Sequence, residues 1–174
     1  MLDQAAKWDA APSWATAALT GKRVTARSLD LPDQALVSGD LTAFGQIAGL
    51  AWQGEGALGP VLGETFTVRL ARDRLLAVGR LHEAVSEGWN AAGFAATAIG
   101  GANHVFELTG EGVEDLLSRA TTLDLANPGP SAAASFAGVP AIVYRFSPSG
   151  GTRLHVERGL AVYVWTWLRT VLEE

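Results

Sequence analysis

The chain has 174 residues, of which 48% are hydrophobic and 18% charged, with a formal net charge of −5 and no cysteine. This length suits one domain with a sizeable core, and the missing cysteines exclude disulfides, cysteine-ligated metals and thiol nucleophiles. An acidic chain without a basic run is also a poor candidate for nucleic-acid binding.

Residues 1–22 show no clear hydrophobic period and are predicted to form a loosely ordered N-terminal arm. The arm contains Trp8 and Trp14, so the alternative to a frayed end is a tail that docks on a partner. It lacks a basic start followed by an apolar run, and the chain has no uninterrupted apolar run of about 18 residues. We therefore expect a cytoplasmic protein without a membrane span.

Residues 23–174 are predicted to form a single α+β domain, with two small halves that meet near residue 92 as the alternative. Short links between the strands favour mainly antiparallel sheets packed with helices. The first half is predicted to contain an edge strand at 23–30, a strand at 35–38, a helix at 41–51 capped by Asp40, a glycine-rich loop at 54–63, a hairpin at 64–79 and an amphipathic helix at 80–91.

The second half is predicted to contain strands and helices in the same alternation. Gly100-Gly101 suits a two-residue hairpin turn, and Glu111, Glu114 and Asp115 suit the start of a helix. The predicted elements are strands at 94–99 and 103–109, a helix at 113–120, a loop at 126–134, a hairpin of 139–146 with 152–157, and a helix at 158–172.

Motifs that would carry chemistry are weak in this sequence. Gly54–Gly59 matches G-x-G-x-x-G, but Pro60 and a predicted strand follow, whereas a dinucleotide site requires a helix there. His82, His104 and His155 have no metal-ligand spacing, although strands could bring the last two together. No serine elbow or phosphate-binding lysine motif occurs. We predict no catalytic, cofactor-binding or metal-binding residues in this chain.

The C-terminal helix is unusually apolar and aromatic. Its apolar residues cover roughly 200° of the helical wheel, whereas a surface helix needs a stripe of only about 100°. Either two layers of its own domain cover this surface, or a partner subunit does, through the anchors that interfaces favour. The candidate interface residues are Tyr163, Trp165 and Trp167.

Two C-terminal segments resemble motifs of a known family. FELTGEGVEDLLSRATTLDL at 106–125 resembles L-x-x-S-G-P-x-A-x-x-L-L followed by C-P-L-D-L, and RGLAVYVWTWL at 158–168 resembles R-S-F-A-x-Y-L-W-x-W-L. Both patterns belong to the gamma subunit of heterotetrameric sarcosine oxidase. The middle of the chain resembles the same family. The family's R-G-D corresponds to LVSGD at 36–40, its small helix to FGQIAGLAWQ, and its L-G-P-D-E-W-L-L hairpin to TVRLARDRLLAVG at 67–79. The resemblance therefore covers most of residues 24–172.

This resemblance implies a fold similar to the folate-binding aminomethyltransferases and a supporting, non-catalytic role. It also implies alpha and beta partner subunits that hold FAD, FMN, NAD and tetrahydrofolate, with oxidative demethylation of sarcosine or a related N-methyl amine performed by the whole complex. The alternatives are a stand-alone folate-binding, aminomethyltransferase-like protein and an orphan homo-oligomeric domain of the same fold.

The sequence departs from the family pattern in three places. Ala98–Gly101 stands where related chains often carry D-V-S-D or D-V-S-H, so the carboxylate and the hydroxyl are missing. Thr121-Thr122 replaces C-P, and Gly110-Glu111 replaces G-P. The missing carboxylate argues against independent folate chemistry, since an active aminomethyltransferase would use it towards its amine or folate.

Overall fold

A computed structural model describes residues 11–30, 33–50 and 54–174 of the chain. The three helices of this part are α1 (Leu41–Ala48), α2 (Val113–Ala120) and α3 (Ala161–Glu173). Its strands are β1 (Ala18–Thr20), β2 (Thr25–Leu29), β3 (Gln34–Gly39), β4 (Pro60–Val61), β5 (Phe66–Ala71), β6 (Arg74–Val78), β7 (Gly88–Asn90), β8 (Phe94–Ala98), β9 (Asn103–Thr109), β10 (Ala133–Phe136), β11 (Val139–Phe146) and β12 (Gly151–Glu157).

The strands form two sheets. Sheet A has the order β1-β2-β9-β12-β11-β10 in antiparallel pairs, and β4 pairs in parallel with β11. Sheet B has the order β5-β6-β3-β8-β7, with every pair antiparallel. The predicted α+β class with mainly antiparallel sheets is confirmed.

The two sheets stack face to face, and helices cover both outer faces. Helices α2 and α3 pack on sheet A, and α1 packs on sheet B. In strand β6 the residues from Leu75 to Val78 are all apolar because both of their faces are covered. Leu75 and Ala77 face α1, whereas Leu76 and Val78 face sheet A. From α3 to α1, the three apolar layers include Phe106, Leu117 and Leu168, then Phe66, Leu76 and Tyr144, then Phe44, Leu75 and Phe94.

Local sequence signals place several elements as predicted. Asp40 caps α1, where its Oδ1 accepts hydrogen bonds of 3.0 Å from the backbone N–H groups of Thr42 and Ala43. Gly49 ends the same helix in the left-handed region, at φ +68°. Arg72-Asp73 forms the turn between β5 and β6, as expected for that hairpin.

The helix predicted at 80–91 is wrong. Residues 82–85 form a turn, closed by a hydrogen bond from the N–H of Val85 to the carbonyl of His82, and Gly88 begins β7 at φ +97°. Leu81 and Val85 share the apolar spacing of a helix, but a turn is enough to bring both against the α1 layer. Pairing of β7 with the outer edge of β8 satisfies backbone groups that a helix would leave unpaired.

The hairpin predicted around Gly100-Gly101 is also wrong. Strand β8 belongs to sheet B and β9 to sheet A, so this short link crosses between the sheets. The predicted edge strand at 23–30 corresponds to β2, which lies inside sheet A between β1 and β9. Strands from both sides of residue 92 occur in each sheet.

The predicted N-terminal arm is ordered where the structure describes it. Strand β1 extends sheet A, and Trp14 packs against the rings of Phe106 and Trp165. The hydrophobic periodicity of the sequence could not predict this ordered segment, because β1 has only three residues and the ring of Trp14 alone anchors the residues before it. Trp8 lies outside the described residues. None of the described helices is long and apolar enough to cross a membrane.

Candidate functional site

Helix α3 places its aromatic residues on two different sides. Trp165 faces sheet A and is only 6% exposed. Its ring stacks on Phe106 at a centroid distance of 5.7 Å and meets Trp14 edge-on at 5.8 Å. Trp165 therefore belongs to the core rather than to the predicted partner interface, because the chain's own sheet and its N-terminal segment cover it.

Tyr163 and Trp167 lie on the outer side of the same helix. Tyr163 is 50% exposed, and its hydroxyl donates a 2.8 Å hydrogen bond to the carbonyl of Ala137. Trp167 is partly buried and meets the ring of Phe136 edge-on at 5.4 Å. Both rings line a shallow groove of about 470 Å³, called here the α3 groove, together with Arg119, Thr166, Thr170, Val171 and Glu174. The predicted interface at Tyr163 and Trp167 remains a prediction, on residues that a partner can reach.

The acidic residues at the start of α2 form exposed ion pairs. Arg23 bonds Glu111 at 3.2 Å and Asp115 at 2.7 Å, and Arg145 bonds Glu114 at 3.0 Å. These side chains are about half or more exposed, so each pair contributes little to stability. The carboxylates thus join the start of α2 to the segment before β2 and to β11, and they do not converge on a reaction centre.

The G-x-G-x-x-G segment is a loop that leads into the short strand β4. Gly54 has φ +103°, and a Cβ there would lie 2.7 Å from the backbone nitrogen of Arg69. A Cβ on Gly56 would lie 2.5 Å from the carbonyl oxygen of Gly129. These glycines permit close backbone packing, and the segment lacks the helix that would present N–H groups to a pyrophosphate.

The side chains of the three histidines do not converge on one point. His155 and His104 occupy adjacent positions on paired strands, facing Val105 and Val156 respectively, so their side chains point to opposite faces of sheet A. His82 lies in the turn before β7, where its Nδ1 accepts from the N–H of Ala84. Across the described ranges, no three His, Asp or Glu side chains are grouped in a way that could hold a metal ion.

A row of charged side chains crosses the face of sheet A that meets sheet B. Glu107 is fully buried on β9, with Arg27 beside it on β2 and Arg153 beside it on β12. Its carboxylate accepts 3.0 Å bonds from Nε of each arginine and a 2.8 Å bond from the Ser149 hydroxyl. The Arg153 guanidinium also lies 3.3 Å from the ring centroid of Phe146. Every oxygen of Glu107 is thus engaged.

A second buried chain of hydrogen bonds runs from Tyr144 through His155 to Gln34. The Tyr144 hydroxyl lies 2.8 Å from His155 Nε2, and His155 Nδ1 lies 3.0 Å from Gln34 Oε1. Because an amide oxygen only accepts, Nδ1 carries the proton and Nε2 accepts from the tyrosine hydroxyl. This chain joins sheet A to sheet B, since Gln34 begins β3.

Burial sets the protonation of these groups. It lowers the pKa of His155 to about 3, with the charge of Arg153 adding to the effect, and it raises the pKa of Tyr144. Burial alone would raise the pKa of Glu107, but hydrogen bonds from Arg27, Ser149 and Arg153 outweigh it and hold that pKa below its ordinary value. At neutral pH the network therefore holds a neutral histidine and an ionised glutamate.

A cleft of about 560 Å³ opens at one end of β2 and β9. Trp14, Ser28, Asp30, Gln34, His104 and Arg158 contribute to its walls. The Ser28 hydroxyl lies 3.1 Å from His104 Nε2, and burial together with the charge of Arg158 lowers the pKa of His104. The rim includes Gly100, and a side chain there would meet open space.

Comparison with known proteins gives a likeness in structure alone. No protein-family model matches the sequence, and no curated protein matches it. The structure is similar to a chain of the heterotetrameric sarcosine oxidase from Corynebacterium sp. U-96 in complex with pyrrole 2-carboxylate, with a TM-score of 0.67 and 17% identity. The likeness covers 90% of this chain and 87% of that chain, so the two share a fold over nearly their whole lengths.

Proposed function

We propose that this chain is a non-catalytic, gamma-type subunit of a sarcosine-oxidase-like heteromeric flavoenzyme. The observation that carries the proposal is the fold shared with a chain of a heterotetrameric sarcosine oxidase over 90% of one chain and 87% of the other. Such coverage means that the matched chain has a similar length. The likeness therefore concerns one whole chain of that assembly and not a domain inside a larger catalytic chain.

The arrangement of the buried polar groups supports a structural role. The Glu107 carboxylate is saturated by Arg27, Arg153 and Ser149, and both ring nitrogens of His155 are hydrogen-bonded. A general base or nucleophile must instead present an accessible atom to its substrate. The Glu107 cluster joins strands within sheet A, and the chain through His155 joins sheet A to sheet B, which is what a supporting subunit requires of its core.

Under this proposal the redox chemistry belongs to alpha and beta partner chains. Those chains would hold FAD, FMN, NAD and tetrahydrofolate, remove hydride from sarcosine or a related N-methyl amine, and pass the one-carbon unit to folate. The loop at Gly54–Gly59 has the wrong following element for a dinucleotide, so these cofactors are not assigned to this chain.

We further propose that partner chains contact the α3 groove. Interfaces are enriched in exposed aromatic anchors, and Tyr163 is half-exposed beside the partly buried Trp167. Neither ring is needed to close the core, because Trp165 and Leu168 fill the inner side of the helix.

Co-expression with the sarcosine-oxidase-like alpha and beta chains of the same organism tests the proposal. A tagged wild-type chain should retain both partners, and the captured complex should show flavin absorption and sarcosine-dependent oxygen uptake. Trp167→Ala should weaken capture of the partners, whereas the matched control Trp89→Ala should not. Trp89 is 73% exposed on β7, an edge strand of sheet B, whereas α3 packs on sheet A. Failure of the wild-type chain to retain either partner would reject the proposal.

Two measurements on the purified chain distinguish the proposed subunit from the two alternative functions. A stand-alone folate-binding protein would give saturable heat with tetrahydrofolate in calorimetry at micromolar concentration. An orphan homo-oligomeric domain would instead give a defined oligomer by light scattering and would ignore the alpha and beta chains. The proposed subunit should show neither behaviour.

A further inference from the structure

The cleft at the end of β2 and β9 carries two opposite charges that are not paired with each other. Arg158 and Asp30 both line it, yet no ion pair within 4.0 Å involves either of them among the residues described. His104 adds no third charge at neutral pH, because burial favours its neutral form. The cleft therefore offers one cation and one anion to whatever enters it.

A buried amide also presents donors to this cleft. Gln34 is only 3% exposed, lines the cleft, and uses its Oε1 to accept from His155. Its side-chain NH₂ group has no hydrogen-bond partner in the described part of the chain, while its position is fixed by the buried Tyr144–His155–Gln34 chain. No buried side-chain nitrogen or oxygen of the described residues lacks a hydrogen-bond partner, so this NH₂ group reaches the surface of the cleft, where a ligand can accept from it.

We propose that this cleft binds an amino acid with an apolar side chain, as its zwitterion. The ligand carboxylate would accept from the Arg158 guanidinium and the Gln34 amide, and its ammonium group would face Asp30. An apolar side chain would rest against Trp14, whose indole forms part of the wall. A simple anion would meet repulsion from Asp30, and a simple cation would meet repulsion from Arg158, so the zwitterion is the class that satisfies both charges. The cavity of about 560 Å³ lies within the size range of small-molecule sites, roughly 300–1,000 Å³.

This site is separate from the α3 groove and does not depend on partner chains. It requires no covalent chemistry and adds a binding activity to the supporting role proposed above. Its test therefore uses the full chain alone, and its failure would leave the subunit proposal unaffected.

Isothermal calorimetry with L-phenylalanine as the probe tests the site. The matched probes 3-phenylpropionate and phenethylamine carry the same ring with only the carboxylate or only the ammonium group. The variants are Arg158→Gln and Asp30→Asn, and Arg72→Gln in the exposed β5–β6 turn is the control. Thermal melting of each variant establishes that it is folded.

The proposal expects saturable binding of phenylalanine and at least about tenfold weaker binding of either single-charge probe. Arg158→Gln and Asp30→Asn should each weaken phenylalanine binding at least about tenfold, the loss of one charge-assisted hydrogen bond, and Arg72→Gln should not change it. Absence of saturable heat with the folded wild-type chain would overturn the proposal. Equal affinity for phenylalanine and 3-phenylpropionate, or unchanged affinity in folded Arg158→Gln, would overturn it as well.

Discussion

The two tryptophans of α3 should respond differently to truncation. Trp165 is 6% exposed and loses its contacts with Phe106 and Trp14 when it becomes alanine, so Trp165→Ala should cost about 3–5 kcal/mol, as core aromatic truncations do. For a domain of this size, 1 kcal/mol shifts the melting temperature by roughly 2–4 °C, so the variant should melt about 6–20 °C lower.

Trp167→Ala should be much milder in the isolated chain. It removes one edge-on ring contact with Phe136, worth about 0.5–1.5 kcal/mol, together with partial burial of the indole. Urea unfolding followed by far-ultraviolet circular dichroism measures both variants, and capture of the alpha and beta chains measures association. Equal losses of stability in the two variants, with no separate effect of Trp167→Ala on association, would refute the division of α3 into a core side and a partner side.

Three further changes test the interior. Glu107→Gln should cost about 3–5 kcal/mol in chemical denaturation at pH 7, because it leaves the buried charge of Arg153 without its carboxylate partner. The pKa of His155 is about 3 in the folded chain and about 6.5 in the unfolded chain. The stability that His155 contributes should therefore be complete above pH 6.5 and fall by up to about 1.4 kcal/mol per pH unit below pH 6.5. His155→Gln should flatten that dependence when unfolding is measured at a series of pH values. Gly110→Ala should lower the melting temperature, because at φ +114° its Cβ would lie 2.2 Å from a backbone carbonyl oxygen, whereas Gly159→Ala, in open space, should not.

Local signals in the sequence were sufficient for the fold class and for most elements. The spacing of Val113, Leu116, Leu117 and Ala120 predicts α2 with the observed bounds, and Asp40 predicts the start of α1. Both signals depend on a single turn or a single face, and in these two elements the distant contacts agree with them. The helix predicted at 80–91 failed because Leu81 and Val85 fit a turn as well as a helix, and because pairing of β7 with β8 depends on the rest of sheet B.

The polar interior was harder to foresee. Arg27, Glu107 and Arg153 each lie in a strand, but their sequence positions do not show that the strands are neighbours in sheet A. A charged residue between apolar neighbours, as Glu107 is in β9, was the available signal, and it is equally typical of a strand with one exposed face. Likewise, the wide aromatic arc of α3 predicts cover on two sides, but only the packing of Phe106 shows that Trp165 belongs to the core.

The molar mass of the purified complex tests the subunit proposal most directly. Size-exclusion chromatography with multi-angle light scattering, performed on the chain mixed with the alpha and beta chains, measures it. We expect a single flavin-containing species whose mass includes one copy of this chain per alpha–beta pair. Separate elution of this 18.2 kDa chain as a homogeneous monomer beside an intact alpha–beta flavoprotein would contradict the account.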